Sequence, residues 1–367
     1  MMTRREFILR SCAASCALGA FPGLLGAAGA QGPREAMYYE TAEGGLVRCR
    51  LCPRGCVIAP GLAGRCRVRR NDGGKLYTLV FGRPCTSHND PIEKKPLFHF
   101  LPGTNAFSIA TAGCNIECKF CQNWQISQAG PEEVRSVEMP PDRVVERALA
   151  AGSAAIAYTY TEPVVFYEYV RETARLGASR GMRSVMITNG FIREEPMREL
   201  LPHLAAVKVD LKAFTEKFYR EVCDGALAPV LSTLKLLKQT GTWHELVVLL
   251  VPTLNDGDDE IAALCRWVKQ ELGAGVPVHF TRYHPTYKMR NLPPTPVATL
   301  ERARRIGLKE GLEFVYLGNV PGHPGETTWC PKCGTALITR VSYHVDASGL
   351  KNGACRHCGR PIPGVWS

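Results

Sequence analysis

The chain has 367 residues, 45% hydrophobic and 22% charged, a balance that suits a soluble enzyme with a large core. Its formal net charge is +11, but Lys and Arg are spread without a long basic run and metal-bound thiolates would offset part of the excess, so a nucleic-acid partner is not indicated. Sixteen cysteines occur largely as grouped Cys-x2-Cys pairs, which argues for metal or cluster ligation and against a disulfide framework.

At the amino terminus, Thr3-Arg4-Arg5-Glu6-Phe7-Ile8-Leu9 precedes an uncharged stretch from Ser11 to Ala30 that closes on Ala28-Gly29-Ala30. This pattern predicts a twin-arginine (Tat) signal over residues 1–30 and an exported, periplasmic or membrane-associated protein. Cytoplasmic residence is the alternative, because the chemistry argued below needs a cytoplasmic small molecule and a strong reductant. The next segment, residues 31–103, is predicted as a cysteine-rich module with a connecting stretch. Cys49, Cys52, Cys56 and Cys66 fall within 18 residues among turn-forming Pro and Gly, a metal-site pattern whose spacing separates neither zinc from a second Fe–S cluster nor a structural role from a relay. Asp90-Pro-Ile-Glu-Lys-Lys-Pro-Leu-Phe-His99-Phe100 reads either as a solvated connector or as a segment laid over the open end of the main domain.

From Ala106 onward, short β-branched runs alternate with helical patterns. Strands are predicted at Ala106–Ala112, Ala154–Tyr160, Arg183–Thr188, Ala206–Leu211, Glu245–Val251, Val278–Tyr283 and Phe314–Leu317. Helices are predicted at Pro141–Ala151, Val164–Leu176, Glu195–Leu204, Val230–Lys238, Asp259–Leu272 and Val297–Glu310, the fifth capped by Asp258 or Asp259. Such repeats predict an α/β fold with a parallel sheet covered by helices, best matched by a partial (β/α)6-type, TIM-like barrel over residues 104–322. Functional loops then lie at the carboxyl ends of the strands.

Strand one ends in Cys114-Asn-Ile-Glu-Cys118-Lys-Phe-Cys121, with no fourth cysteine close in sequence. A [4Fe–4S] cluster is normally capped at all four irons, so three thiolates would leave one iron open for chemistry. A zinc knuckle or three structural cysteines would also fit the spacing; the preceding strand and the neighbouring Phe120, able to pack on an aromatic ligand, favour the cluster. Further strand ends bring Glu162, Thr188-Asn189, Asp210-Leu-Lys212, Asn255 and His284 toward the same loop. Glu162 suits a ligand ammonium, and Thr188 and Asn189 suit ribose hydroxyls. Residues 323–367 are predicted as a ribbon in which Cys330-x2-Cys333 and Cys355-x2-Cys358, 21 residues apart, hold Zn2+ in a four-thiolate shell.

The loop Cys114-x3-Cys118-x2-Cys121 with Phe120 resembles the cluster loop of the radical S-adenosylmethionine (SAM) superfamily. The run Gln122-Asn123-Trp124-Gln125-Ile126-Ser127, with Asp90-Pro-Ile-Glu-Lys-Lys-Pro, resembles the narrower AmmeMemoRadiSam system radical SAM enzymes, relatives of the pyruvate formate-lyase activating enzymes. The likeness runs from about Tyr38 to Gly364. It implies an enzyme in which SAM chelates the open iron and is reductively cleaved to methionine and a 5′-deoxyadenosyl radical that abstracts hydrogen from a substrate. It further implies Glu162, Thr188, Asn189, Asp210 and Lys212 as SAM contacts, and a reductant such as flavodoxin or ferredoxin. The common Gly-Gly-Glu is replaced here by Tyr160-Thr161-Glu162, which leaves the amine contacts open. The substrate expected is macromolecular, a protein glycine or another residue, with other proteins of the AmmeMemoRadiSam system as candidate partners. An RNA-modifying radical SAM enzyme and an exported iron–sulfur electron-transfer protein are the alternatives.

Overall fold

Apolar runs with no polar face can be buried only between two layers of other structure, and this requirement shapes the centre of the molecule. The computed structural model describes residues 34–367; the segment read as a Tat signal lies outside them. Among the described residues, no helix is long and apolar enough to cross a membrane.

Six short strands come first: β1 (Arg34–Glu35), β2 (Tyr39–Thr41), β3 (Val47–Cys49), β4 (Val57–Ile58), β5 (Arg69–Asp72) and β6 (Lys75–Thr78). They pair as two antiparallel sheets, β1-β6-β5 and β2-β3-β4. The main sheet follows: β7 (Thr86–Pro91), β8 (Asn105–Ala110), β9 (Ala155–Tyr158), β10 (Arg183–Thr188), β11 (Ala206–Asp210), β12 (Trp243–Leu250), β13 (Val278–Arg282) and β14 (Val315–Gly318). Its spatial order runs β14-β13-β12-β11-β10-β9-β8-β7. Strands β8 to β14 are parallel neighbours in sequence order, and β7 lies antiparallel against β8. This is an α/β fold with a mostly parallel central sheet.

The connections carry helices α1 (Trp124–Ser127), α2 (Pro141–Ala150), α3 (Tyr167–Ser179), α4 (Glu194–Leu200), α5 (Glu216–Val222), α6 (Leu227–Thr240), α7 (Asp258–Trp267) and α8 (Val297–Lys309). Pro141 opens α2 at its first position, where a missing N–H costs nothing. The cap of α7 differs from expectation: Gly257 holds the cap position, and Asp258, Asp259 and Glu260 fill the first turn, where their charges favour the helix dipole. The short helices α1 and α5 were not legible from periodicity, being barely one and two turns long.

The segment from Asp90 to Phe100 is not a solvated connector. Asp90, Glu93, Lys95 and His99 are all buried, and Thr86–Pro91 is itself the edge strand β7. Glu245, fully buried near the start of β12, accepts hydrogen bonds from the Phe98 and His99 amides (2.9 and 2.8 Å) and pairs with His279 Nε2 (2.8 Å). The carboxyl-terminal strands, β15 (Thr328–Trp329), β16 (Ala336–Val341), β17 (His344–Asp346), β18 (Leu350–Lys351) and β19 (Ala354–Cys355), pack onto this layer. Phe98, Phe314, Tyr316, Leu337, Ile338 and Ile362 share one apolar cluster, and Arg340 Nη2 donates to the Phe98 carbonyl (2.7 Å). Phe314 immediately precedes β14, and Glu245 and His279 lie near the starts of their strands. The ribbon therefore covers the amino-terminal end of the sheet, opposite the cysteine loop.

Glu245→Ala leaves the Phe98 and His99 amides without acceptors in a buried layer, and its expected cost is roughly 3 kcal/mol of unfolding free energy, measured by urea titration. Glu313→Ala, at the partly exposed ion pair with Arg360 (2.5 Å), is expected to cost less than about 1 kcal/mol.

Candidate active site

Strand β8 delivers the chain to Gly113, which has φ of +96°. A Cβ there would stand 2.6 Å from the Cys66 carbonyl oxygen and 2.7 Å from Val68 Cγ1, so only glycine lets the loop press against the front module. The loop then turns on Cys121 N–H to the Cys118 carbonyl (3.0 Å) and is tied down by Glu117 N–H to the Cys223 carbonyl (2.8 Å). Cys118 is buried, and Cys114 and Cys121 are partly so. Among the described residues, no three of these thiols bring their sulfurs within 4.8 Å of one another, unlike the ribbon thiols. That spread suits three irons of one cluster better than a single ion.

The thiols are held protonated in the metal-free protein. Burial, then Glu162, raises the Cys114 pKa well above its ordinary value. Neighbouring Cys223, then burial, does the same for Cys118. Cys121 is raised by burial and partly relieved by Ser127, whose hydroxyl lies 3.2 Å from the sulfur. Ligation would release these protons. Cys223 was not foreseen; it lies about a hundred residues away in sequence, beyond α5, and no local spacing links it to the loop.

Glu162 sits just after β9 with its side chain fully buried. Thr188 Oγ1 donates to Oε1 (2.6 Å), Asn189 N–H to Oε2 (2.8 Å) and Val164 N–H to Oε1 (3.1 Å). Burial outweighs these three bonds and pushes its pKa up to about 7. Glu162 forms no ion pair among the described residues, so the carboxylate has bonds but no counter-charge. Asn189 extends the arrangement: its Nδ2 donates to Asn115 Oδ1 (2.9 Å) and lies 3.8 Å from Cys114 Sγ. Thr188 and Asn189 thus hold Glu162 and the loop, which gives them a positioning role that the sequence reading did not anticipate.

Along β11, period-two alternation places Lys208 and Asp210 on one face, and Lys212 follows two residues past the strand's end. Lys212 Nζ donates to Asp210 Oδ2 (2.8 Å), and Lys208 Nζ contacts Oδ1. Burial raises the Asp210 pKa, but the two lysines prevail and hold it at about 2. Asp210 and Lys212 are both close enough to Cys118 to influence its ionisation. Lys208 was missed because a single lysine inside an apolar strand reads as an outward-facing residue. Phe120 is buried and packs on Phe218, ring centroids 6.0 Å apart. Below this level, Lys95 Nζ donates to Asp90 Oδ2 (2.6 Å), the Tyr160 hydroxyl also donates to Asp90, and Lys95 lies 4.7 Å from the Tyr160 ring centroid. Asn255 caps the end of β12, accepting from Val251 N–H (2.6 Å) and donating to the Lys212 carbonyl (2.8 Å); His284 is exposed.

The other cysteines form two separate groups. In the ribbon, Cys330, Cys333, Cys355 and Cys358 gather all four sulfurs within 4.8 Å, a set able to hold one metal ion. His323 is not part of it, since its ring faces Glu301 and caps the Gly325 amide. Cys49, Cys52, Cys56 and Cys66 line one cavity beside the cluster loop.

A bound [4Fe–4S] cluster and SAM fit these residues on their own chemistry. Three buried or partly buried thiols on one loop present ligands for three irons. A buried, uncompensated carboxylate calls for a cation such as an ammonium, and the lysine-rich Lys208–Asp210–Lys212 triad carries the net positive charge that favours a carboxylate.

Comparison with known proteins agrees with this chemistry. The family profile described as the Radical SAM superfamily matches residues 108–268. An uncharacterized protein of Methanocaldococcus jannaschii is 46% identical over 331 residues, covering 90% of this chain and 98% of the relative. The pyruvate formate-lyase 1-activating enzyme of Escherichia coli K12 is 25% identical over 223 residues, covering 56% of this chain and 89% of that enzyme. A radical SAM methyltransferase structure from Sphaerobacter thermophilus aligns with a TM-score of 0.48 and 17% identity over 62% of this chain and 71% of its own. The chain carries a radical SAM superfamily domain over residues 108–268 and is related to the pyruvate formate-lyase activating enzymes, and such a domain implies a [4Fe–4S] cluster and SAM.

The Glu162 pKa is raised on folding, so the carboxyl favours the native state while protonated, and that contribution is lost as pH rises from about 4.5 through about 7. In thermal melts of the ligand-free protein, Glu162→Gln is expected to flatten this decline, so that the variant's midpoint relative to wild type rises between pH 5 and pH 8, a range set by the usual carboxylate value of about 4.3 and the raised one. Parallel curves for the two proteins would contradict the assignment.

Proposed function

We propose that this chain is a radical SAM enzyme of the AmmeMemoRadiSam system group that abstracts hydrogen from a macromolecular substrate, a protein in the first instance. The observation that carries the reading is the buried Glu162 carboxylate, bonded but without a cation, linked through Asn189 to Cys114 of a three-cysteine loop. When bound, the cluster and SAM supply reductive cleavage of the sulfonium and hydrogen-atom abstraction. The chain's own part is positioning. Cys114, Cys118 and Cys121 would hold the cluster, Glu162 the methionyl ammonium, Lys212, oriented by Asp210, the ligand's carboxylate, and Phe120 and the front module would exclude water.

A protein substrate is favoured by likeness to an enzyme named for activating pyruvate formate-lyase. The RNA-modifying alternative gains no support from the ribbon, which lies at the amino-terminal end of the sheet, opposite the cysteine loop. The ribbon would hold Zn2+ and act through stability. A flavodoxin or ferredoxin would supply the electron, and partner proteins would come from the same system. Residues 1–30 would direct Tat export after the cluster is loaded.

Anaerobic reconstitution with iron, sulfide, dithionite and SAM is expected to yield 5′-deoxyadenosine, and its absence would sink the reading. Cys118→Ala is expected to abolish that product. Cys355→Ala should retain cleavage while lowering the melting midpoint by about 5 °C or more. A reporter fused to residues 1–35 should be exported, and an Arg4→Lys, Arg5→Lys version should stay inside the cell; equal export of both would refute the Tat assignment.

A further inference from the structure

The front cysteines and the ribbon cysteines are both complete sets of four, yet their geometry differs in a way that discriminates between metals. A tetrahedral ion with metal–sulfur bonds of about 2.3 Å needs sulfurs roughly 3.8 Å apart. The ribbon meets this: Cys330 and Cys358 sulfurs are 3.6 Å apart, and Cys333 and Cys355 sulfurs 3.7 Å. Cys49, Cys52, Cys56 and Cys66 do not. They line one small cavity of about 20 Å3, yet among the described residues no three of them bring their sulfurs within 4.8 Å. A cubane cluster asks for that wider spread, because its thiolates point outward from four separate irons.

The rest of the cavity wall supplies what an anionic cluster needs. Leu51, Ile58, Val164 and Val165 make it dry. Arg69 enters it with 1% exposure, and its Nε–H is buried without a partner. The same guanidinium is otherwise engaged, with Nη1 3.0 Å from Glu168 and Nη2 on the Met37 carbonyl. An orphaned, fully buried N–H beside four thiols is a donor waiting for a sulfur acceptor. The cavity also shares a wall with the catalytic loop. Asn115, the residue after Cys114, lines it, and Gly113 meets the Cys66 carbonyl.

We propose that Cys49, Cys52, Cys56 and Cys66 ligate a second, closed [4Fe–4S] cluster, with Arg69 Nε–H donating to one of its sulfurs. All four irons are capped, so this site binds no substrate; open-iron chemistry stays at Cys114, Cys118 and Cys121. The proposal is independent of SAM cleavage, since it concerns thiols outside the superfamily loop.

The test uses the full chain with Cys114, Cys118 and Cys121 all changed to Ala, reconstituted anaerobically with iron and sulfide. It is expected to retain about four iron and about four sulfide per chain, with about one zinc at the ribbon, and to give a cluster EPR signal on reduction with dithionite. About two zinc and no sulfide would overturn the proposal, as would an empty front site. Should the triple variant not fold, Cys49→Ser with Cys56→Ser in the otherwise intact chain gives the complementary reading. Iron falls from about eight to about four if the proposal holds and stays unchanged if it does not. Arg69→Lys, which keeps the charge facing Glu168 but removes the Nε–H, is expected to lower the potential of this cluster; an unaltered potential would refute the role given to Arg69.

Discussion

A carboxylate buried with hydrogen bonds but no counter-charge is the constraint around which the active end of this molecule is organised. Glu162 cannot be left unsupported in an apolar core, so strand β10 ends where Thr188 and Asn189 can donate to it. Asn189 then spends its side-chain amide on Asn115 and the Cys114 sulfur, so the group that steadies the carboxylate also steadies the loop. The site's geometry follows from the strand ends, and its electrostatics from what they leave unpaired.

A line of polar side chains runs through the otherwise apolar strands from one end to the other. At the cysteine loop stand Asp210 and Lys212, below them Lys208, Lys95, Asp90 and Tyr160, and at the far end Glu245, His279 and His99. Each charge is paired or hydrogen-bonded, as a low-dielectric interior requires. The two small modules close the two ends. The front module presses on the catalytic loop through Cys66 and Gly113, while the ribbon seals the opposite end through Arg340 and Phe98. The roles proposed for them differ accordingly, one belonging to the chemistry and the other to stability.

Much of this was legible in the chain. Apolar runs at regular spacing located all seven parallel strands, and the rule that function gathers at strand ends singled out Glu162, Asn189 and Asp210. What escaped was set by long-range packing. Asp90, Glu93 and Lys95 look solvated because their composition is charged, and only the folding of β7 and the turn after it against the sheet carries them inside. Lys208 and Cys223 resemble ordinary strand and helix-end residues, and their meaning comes from neighbours far away in sequence. Spacing could show that the front and ribbon cysteines were complete sets, but not how far apart the folded backbone would hold their sulfurs.

The central claim is that the three-cysteine loop holds a cluster with an iron open to SAM beside Glu162. It is tested most directly by the EPR spectrum of the dithionite-reduced protein titrated with SAM. The account predicts that SAM reshapes the signal of one cluster, and that Glu162→Gln shifts this change to higher SAM concentrations. A spectrum indifferent to saturating SAM would contradict it.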